Sequence, residues 1–157
     1  MPLPVPENVT EDVAHLFSEQ PEFAKPTFTL LDLVTQVAKH FEADPIEWVA
    51  TCWVLSKFNP IARERWQMAD GRLVEKGTRG SLPTKFGLFL LSGGPFTQAE
   101  LEDPATNARL AFRFGAFLSV EETQEHAAVV AELRAGRAPE GFLEAAGVAF
   151  LGEQPYP

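Results

Sequence analysis

Asp44-Pro45-Ile46-Glu47-Trp48-Val49-Ala50-Thr51-Cys52-Trp53-Val54-Leu55-Ser56-Lys57-Phe58-Asn59-Pro60 is the stretch that decides the fold of this 157-residue chain. Asp44 is placed to cap a helix, its carboxylate taking a backbone N–H of the first turn. Pro45 suits the first helical position, where a missing N–H costs nothing. From there Ile46, Val49, Ala50, Cys52, Trp53, Val54 and Leu55 lie nearly all round the helix, which is the pattern of a segment buried on most sides. Asn59-Pro60 stops it, because a residue before proline avoids the helical region. Leu55 then falls in its last turns. Trp48, Cys52 and Leu55 share one stripe, and core packing is the expected use of all three.

Working outward, Thr29 followed by Asp32 reads as a capping box that opens a preceding helix with Leu30, Leu31, Val34, Val37, Ala38 and Phe41 at helical spacing. Further upstream, residues 1 to 8 carry three prolines at alternate positions and suit an extended arm. A short helix with Val13, Leu16 and Phe17 on one face is expected before Pro21. Downstream, Asp70-Gly71 is a turn signal between modest strand formers. Thr97 with Glu100, Asp103 with Pro104, and Ser119 with Glu122 then mark three successive helix starts, and Gly136 is placed to end the third. A final helix is expected over about residues 139–151, bringing Phe142, Leu143, Ala146 and Phe150 to one side. The predicted class is therefore mainly α (α+β), with a small β-hairpin around residues 65–90. Its organisation is an arm and short helix over 1–28, one domain over 29–151 and a tail over 152–157.

Four segments carry a family resemblance, in the order the family shows them. The Asp44–Pro60 stretch resembles the active-site helix of lytic transglycosylases and goose-type lysozymes, in which Asp-Pro and a buried helix lead into Glu-Ser-x-Phe-Asn-Pro. The catalytic glutamate of that pattern falls on Leu55, beside Ser56. Gly87-Leu88-Phe89-Leu90 resembles the Gly-Leu-Phe-Gln motif of the glycan cleft, with Leu90 in place of the amide. Asp103-Pro104-Ala105-Thr106-Asn107 resembles the Asp-Pro-x-x-Asn helix behind the cleft and is intact. Glu132-Leu133-Arg134-Ala135-Gly136 resembles the late Ala-Tyr-Asn-Ala-Gly motif, with Leu133 and Arg134 in place of the polar pair. The resemblance spans roughly residues 30–137 and implies a lysozyme-like helical domain whose cleft (Leu55, Ser56, Gly87, Leu88, Phe89, Leu90, Leu133, Arg134) has lost its chemistry.

Cleaving a glycosidic bond needs a carboxylic acid to protonate the leaving oxygen, often one with a pKa raised by apolar surroundings. Leucine has no proton to give, and general acid catalysis alone contributes about a hundred- to ten-thousandfold. The resemblance thus implies a pseudoenzyme that keeps the fold as a structural or recognition module. Relocated acids are the competing enzyme reading, with Glu64, Asp70 and Glu75 as candidates, although charged residues in a polar loop are usually only solvated.

Composition narrows the rest. A chain of this length, 45% hydrophobic, buries one proper core. The net charge of −9 argues against nucleic acid as a partner. One cysteine, Cys52, permits no internal disulfide, and His15, His40 and His126 lack metal-ligand spacing, so no metal or cofactor is expected. Neither a secretory signal nor a run long enough to span a membrane is visible, so the protein is expected to be soluble. A relative of cell-wall enzymes without a leader would reach its target by another route. Association with a bacteriophage virion or tail is the expected one, with other particle proteins or further copies docking through the terminal arms, and peptidoglycan as the second class of partner.

Residues 61–85 run against the sign of the whole, with Arg63, Arg65, Arg72, Lys76, Arg79 and Lys85 facing three acids. Arg63, Arg65, Arg72, Lys76 and Arg79 are the candidates for docking an acidic protein or an anionic cell-wall polymer. Ser92-Gly93-Gly94-Pro95 lacks the Lys-Ser/Thr of a phosphate loop and is expected to be a tight turn.

Overall fold

A computed structural model describes residues 28–156, so the expected N-terminal arm, the short helix around Val13, Leu16 and Phe17, and His15 lie outside the described residues. The chain is mainly helical with a small antiparallel sheet. Helix α1 (Leu30–His40) begins at the capping box: Thr29 Oγ1 accepts from the Asp32 amide, and Asp32 Oδ2 accepts from the Thr29 amide. Helix α2 (Pro45–Ser56) begins where Asp44 Oδ1 accepts from the Ile46 amide at 3.0 Å.

The end of α2 comes earlier than Asn59-Pro60 requires. Lys57 and Phe58 both take left-handed backbone conformations, at φ 54° and 59°. This reverses the chain and drops the Phe58 ring into the core, edge-on to Phe142 at 5.7 Å. Two consecutive non-glycine residues of this kind are sterically costly. Burying the whole phenylalanine ring, worth about 1.5–3 kcal/mol, offsets that strain.

Three two-residue strands follow the order of the chain: β1 (Arg63–Glu64), β2 (Lys85–Phe86) and β3 (Leu91–Ser92). Arg63 pairs with Phe86, and Phe86 in turn with Leu91, both antiparallel. The loop from 65 to 84 between β1 and β2 is tied by isolated bridges from Gln67 to Leu73 and Leu82. Asp70-Gly71 makes the expected turn, with Gly71 at φ 87° and Asp70 Oδ1 accepting from the Arg72 amide at 2.9 Å. Strand β3 follows Gly87–Leu90 so closely that the polar run at Ser92 begins inside the sheet.

The remaining helices are α3 (Gln98–Leu101), α4 (Pro104–Phe114), α5 (Val120–Arg134) and α6 (Phe142–Ala146). Each of the first three starts at its expected cap: Thr97, Asp103 and Ser119 accept from the amides of Glu100, Thr106 and Glu122. The cap at Ser119 and the left-handed Gly136, at φ 78°, bound α5 as its sequence predicts. The final helix is much shorter than expected. It stops at Ala146, and residues 148–150 run extended beside the start of α1, where the Leu30 amide donates to Val148 O and the Phe150 amide to Phe28 O, both at 2.9 Å. Phe150 therefore reaches the apolar cluster from an extended segment and meets Phe28 at 5.9 Å.

Helix α2 sits at the centre, packed on α1 and α5, while α1 also packs on α4. Val34, Val37, Ala50, Cys52, Leu88 and Phe142 are wholly buried between them. The tail folds back on α1: the Tyr156 ring stacks on His40 at 3.6 Å, and Gln36 Nε2 donates to Tyr156 O at 2.8 Å. Among the described residues no helix is long and apolar enough to cross a membrane.

Candidate functional site

The last turn of α2, the turn Gly87–Leu90 and the start of α4 meet in one hydrogen-bonded frame. Asn107, fully buried on α4, donates through Nδ2 to Phe86 O at 2.9 Å and to Leu101 O at 2.8 Å. Its Oδ1 accepts from the Phe89 amide at 2.8 Å. From the other side Ser56 Oγ donates to Leu88 O at 2.7 Å, and the Cys52 thiol points at the same carbonyl at 3.7 Å. Side chains from α2 and α4 thus supply partners to Phe86 O, Leu88 O and the Phe89 amide, groups that this turn takes out of water. Asp103-Pro104 sets the register of α4, so that Asn107 faces inward one turn later.

Gly87 is needed here for two reasons. Its φ of 86° is left-handed, and a Cβ would collide with the Asn107 amide and with Leu101 O. Leu90 closes the same turn at φ 47°, a costly conformation for leucine.

Beside this frame, the end of α2 and the β1 region bound a groove of about 630 Å³. Leu55, half-buried, forms part of its wall. Ser56, Asn59, Arg63, Glu64, Trp66 and Lys76 share it. The groove thus combines an indole with an amide and charged groups of both signs. Glu64 is solvent-exposed on β1. Asp70 and Glu75, also exposed, lie in the 65–84 loop and do not line the groove.

The residues expected to form one cleft are divided in the fold. Leu55 and Ser56 line the groove, whereas Gly87, Leu88 and Phe89 are buried in the frame. Leu90 faces a separate apolar cavity. Leu133 is a core residue, 1% exposed. Arg134 Nη2 donates to Asp44 Oδ2 at 2.6 Å, tying the end of α5 to the cap of α2. The apolar stripe also divides. Cys52 is buried, and Trp48 is half-buried, stacked on Phe112 at 3.8 Å and edge-on to Phe89 at 5.7 Å.

Burial pushes the Cys52 thiol far above its usual pKa, against the smaller opposing effects of hydrogen bonds at Ser56 and Phe58. It is a packing residue, not a nucleophile. His126 Nε2 lies 2.8 Å from Glu47 O, linking α5 to α2.

Within the basic segment, Arg63 Nε pairs with Glu102 Oε1 at 2.9 Å, and that guanidinium holds the Glu102 carboxyl below its ordinary range. Arg65, Arg72, Lys76, Arg79 and Lys85 have no carboxylate partner among the described residues. Arg65, Arg72, Lys76 and Arg79 are solvent-exposed, whereas Lys85 is half-buried. Trp66, which lines the groove with Leu55 and Ser56, is not among the residues expected from the sequence; a tryptophan in a polar loop is the signal for it. Comparison with protein-family models, with curated proteins and with solved structures gives no match.

Proposed function

We propose that this chain is a non-catalytic recognition module of the lysozyme-like kind, whose groove beside Leu55 holds a peptidoglycan strand without cutting it. One observation carries the reading: the hydrogen-bonded frame of Ser56, Gly87 and Asn107 is complete, while the groove it supports presents Leu55 where the resembling enzymes present their acid. An apolar side chain there leaves the leaving-group oxygen without a proton donor on the helix. Trp66 offers a face for the apolar side of a sugar ring. Asn59 offers hydrogen bonds, and Lys76, exposed and without a carboxylate partner among the described residues, favours the carboxylates of an anionic wall polymer.

Co-sedimentation with insoluble peptidoglycan tests this. The folded protein should pellet with the polymer, and Trp66→Ala should weaken the association about tenfold, a loss of roughly 1.4 kcal/mol. Failure of the folded wild type to pellet would sink the proposal.

A second reading, a structural component of a phage virion or tail, is favoured by Phe114, Phe117 and Val120, which are 63%, 78% and 78% exposed within seven residues of chain. Clustered apolar surface of this kind suits a protein neighbour. A third, a muramidase with a displaced acid, draws on Glu64, which shares the groove with Leu55.

A further inference from the structure

On the far side of the Gly87–Leu90 turn lies a second cavity, of about 280 Å³, which shares no lining residue with the groove. Its walls are Leu90, Phe96, Leu101, Leu110, Phe114 and Phe117. Its polar end is different in kind. Lys85 and Ser92 are cross-strand partners on β2 and β3, so their side chains leave the sheet on the same face, and both line this cavity. Lys85 is half-buried and has no carboxylate partner among the described residues. An ammonium beside an apolar pocket favours one negative charge, and a hydroxyl next to it can donate a hydrogen bond to the same anion.

We propose that this cavity is a binding site for a small amphiphile with one carboxylate and an aliphatic body, the carboxylate on Lys85 and Ser92 and the chain among the leucines and phenylalanines. The volume stands at the small end of ligand sites and suits a single short chain better than a folded partner. The exposure of Phe114 and Phe117 fits the same use, since a bound chain removes their ring faces from water. Leu90 supports the site as well. Its left-handed backbone sends an aliphatic side chain into this cavity, a placement a turn residue with φ 47° makes only at a conformational cost.

The test is calorimetric titration of the full chain with decanoate, decanol and decyltrimethylammonium, each below its micelle concentration. The expected result is saturable binding of one decanoate per chain, at least tenfold tighter than decanol, with no binding of the cation. Lys85→Met should bring decanoate down to the level of decanol while leaving the thermal midpoint within a few degrees of wild type. Ser92→Trp, which places an indole at the mouth from an exposed position, should remove decanoate binding. Equal affinity for decanoate and decanol, a Lys85→Met variant that keeps the preference, several decanoates per chain, or no saturable binding would each overturn the proposal. Peptidoglycan binding by the groove stands or falls separately.

Discussion

The side-chain amide of Asn107 occupies the space that a Cβ on Gly87 would need, and it holds the backbone on both sides of that glycine, at Phe86 O and at the Phe89 amide. The two residues are twenty positions apart and explain each other: the glycine admits the amide, and the amide satisfies the turn. Gly87→Ala should therefore cost about 3 kcal/mol or more, combining left-handed strain with a steric clash. Urea denaturation measures it, and a loss under 1 kcal/mol would show that the turn relaxes.

Asn107→Ala removes three hydrogen bonds and leaves Phe86 O, Leu101 O and the Phe89 amide unpaired in the interior. At about 1–3 kcal/mol for each stranded group, a loss of about 3 kcal/mol or more is expected. Ser56→Ala, whose acceptor Leu88 O keeps the Cys52 thiol nearby, should cost about 1 kcal/mol. Because both side chains hold one turn, the double variant should depart from additivity. Strict additivity would mean that the two halves of the frame are independent.

These contacts also show what the sequence could and could not reveal. Each capping pair, Thr29 with Asp32, Thr97 with Glu100 and Ser119 with Glu122, is a local hydrogen-bond device and appears as such in the fold. Asp-Pro starts at Asp44 and Asp103 are equally local. The end of the chain is not. Phe142, Leu143, Ala146 and Phe150 keep a helical period, yet residues 148–150 give their backbone to Phe28–Leu30, a partner more than a hundred positions away. Two-residue strands joined across a twenty-residue loop carry no period at all. The candidate cleft suffered for the same reason: adjacent positions such as Phe89 and Leu90 face the core and a cavity, because left-handed backbone at Leu90 turns the chain between them.

Glu102 links α3 to β1 through Arg63, and its carboxyl is held low mainly by that hydrogen bond, against a smaller desolvation effect. A depressed folded pKa means stability that is present above the ordinary glutamate value of about 4.3 and is lost as pH falls through the lowered one. The pair is partly exposed, so the gain at neutral pH should stay within about 1 kcal/mol. Glu102→Gln should be slightly less stable than wild type at pH 7 and equal to it at pH 2. A difference that does not shrink with acid would assign the effect to packing.

Cys52 is wholly buried, and its thiol is held protonated by that burial. A thiol reagent at pH 8 should label it only as fast as the chain opens, and immediately in denaturant. Rapid labelling of the native protein would contradict the packing of α2 against the Leu88 turn.

The central claim, that the groove beside Leu55 binds without cutting, is tested most directly by mass spectrometry of the soluble fragments left after incubation with peptidoglycan. The protein must first be shown folded by circular dichroism, and a heat-inactivated sample serves as control. The prediction is no muropeptide above that control. Release of muropeptides by the wild type, abolished by Glu64→Gln, would contradict it and make Glu64 the acid of a working enzyme.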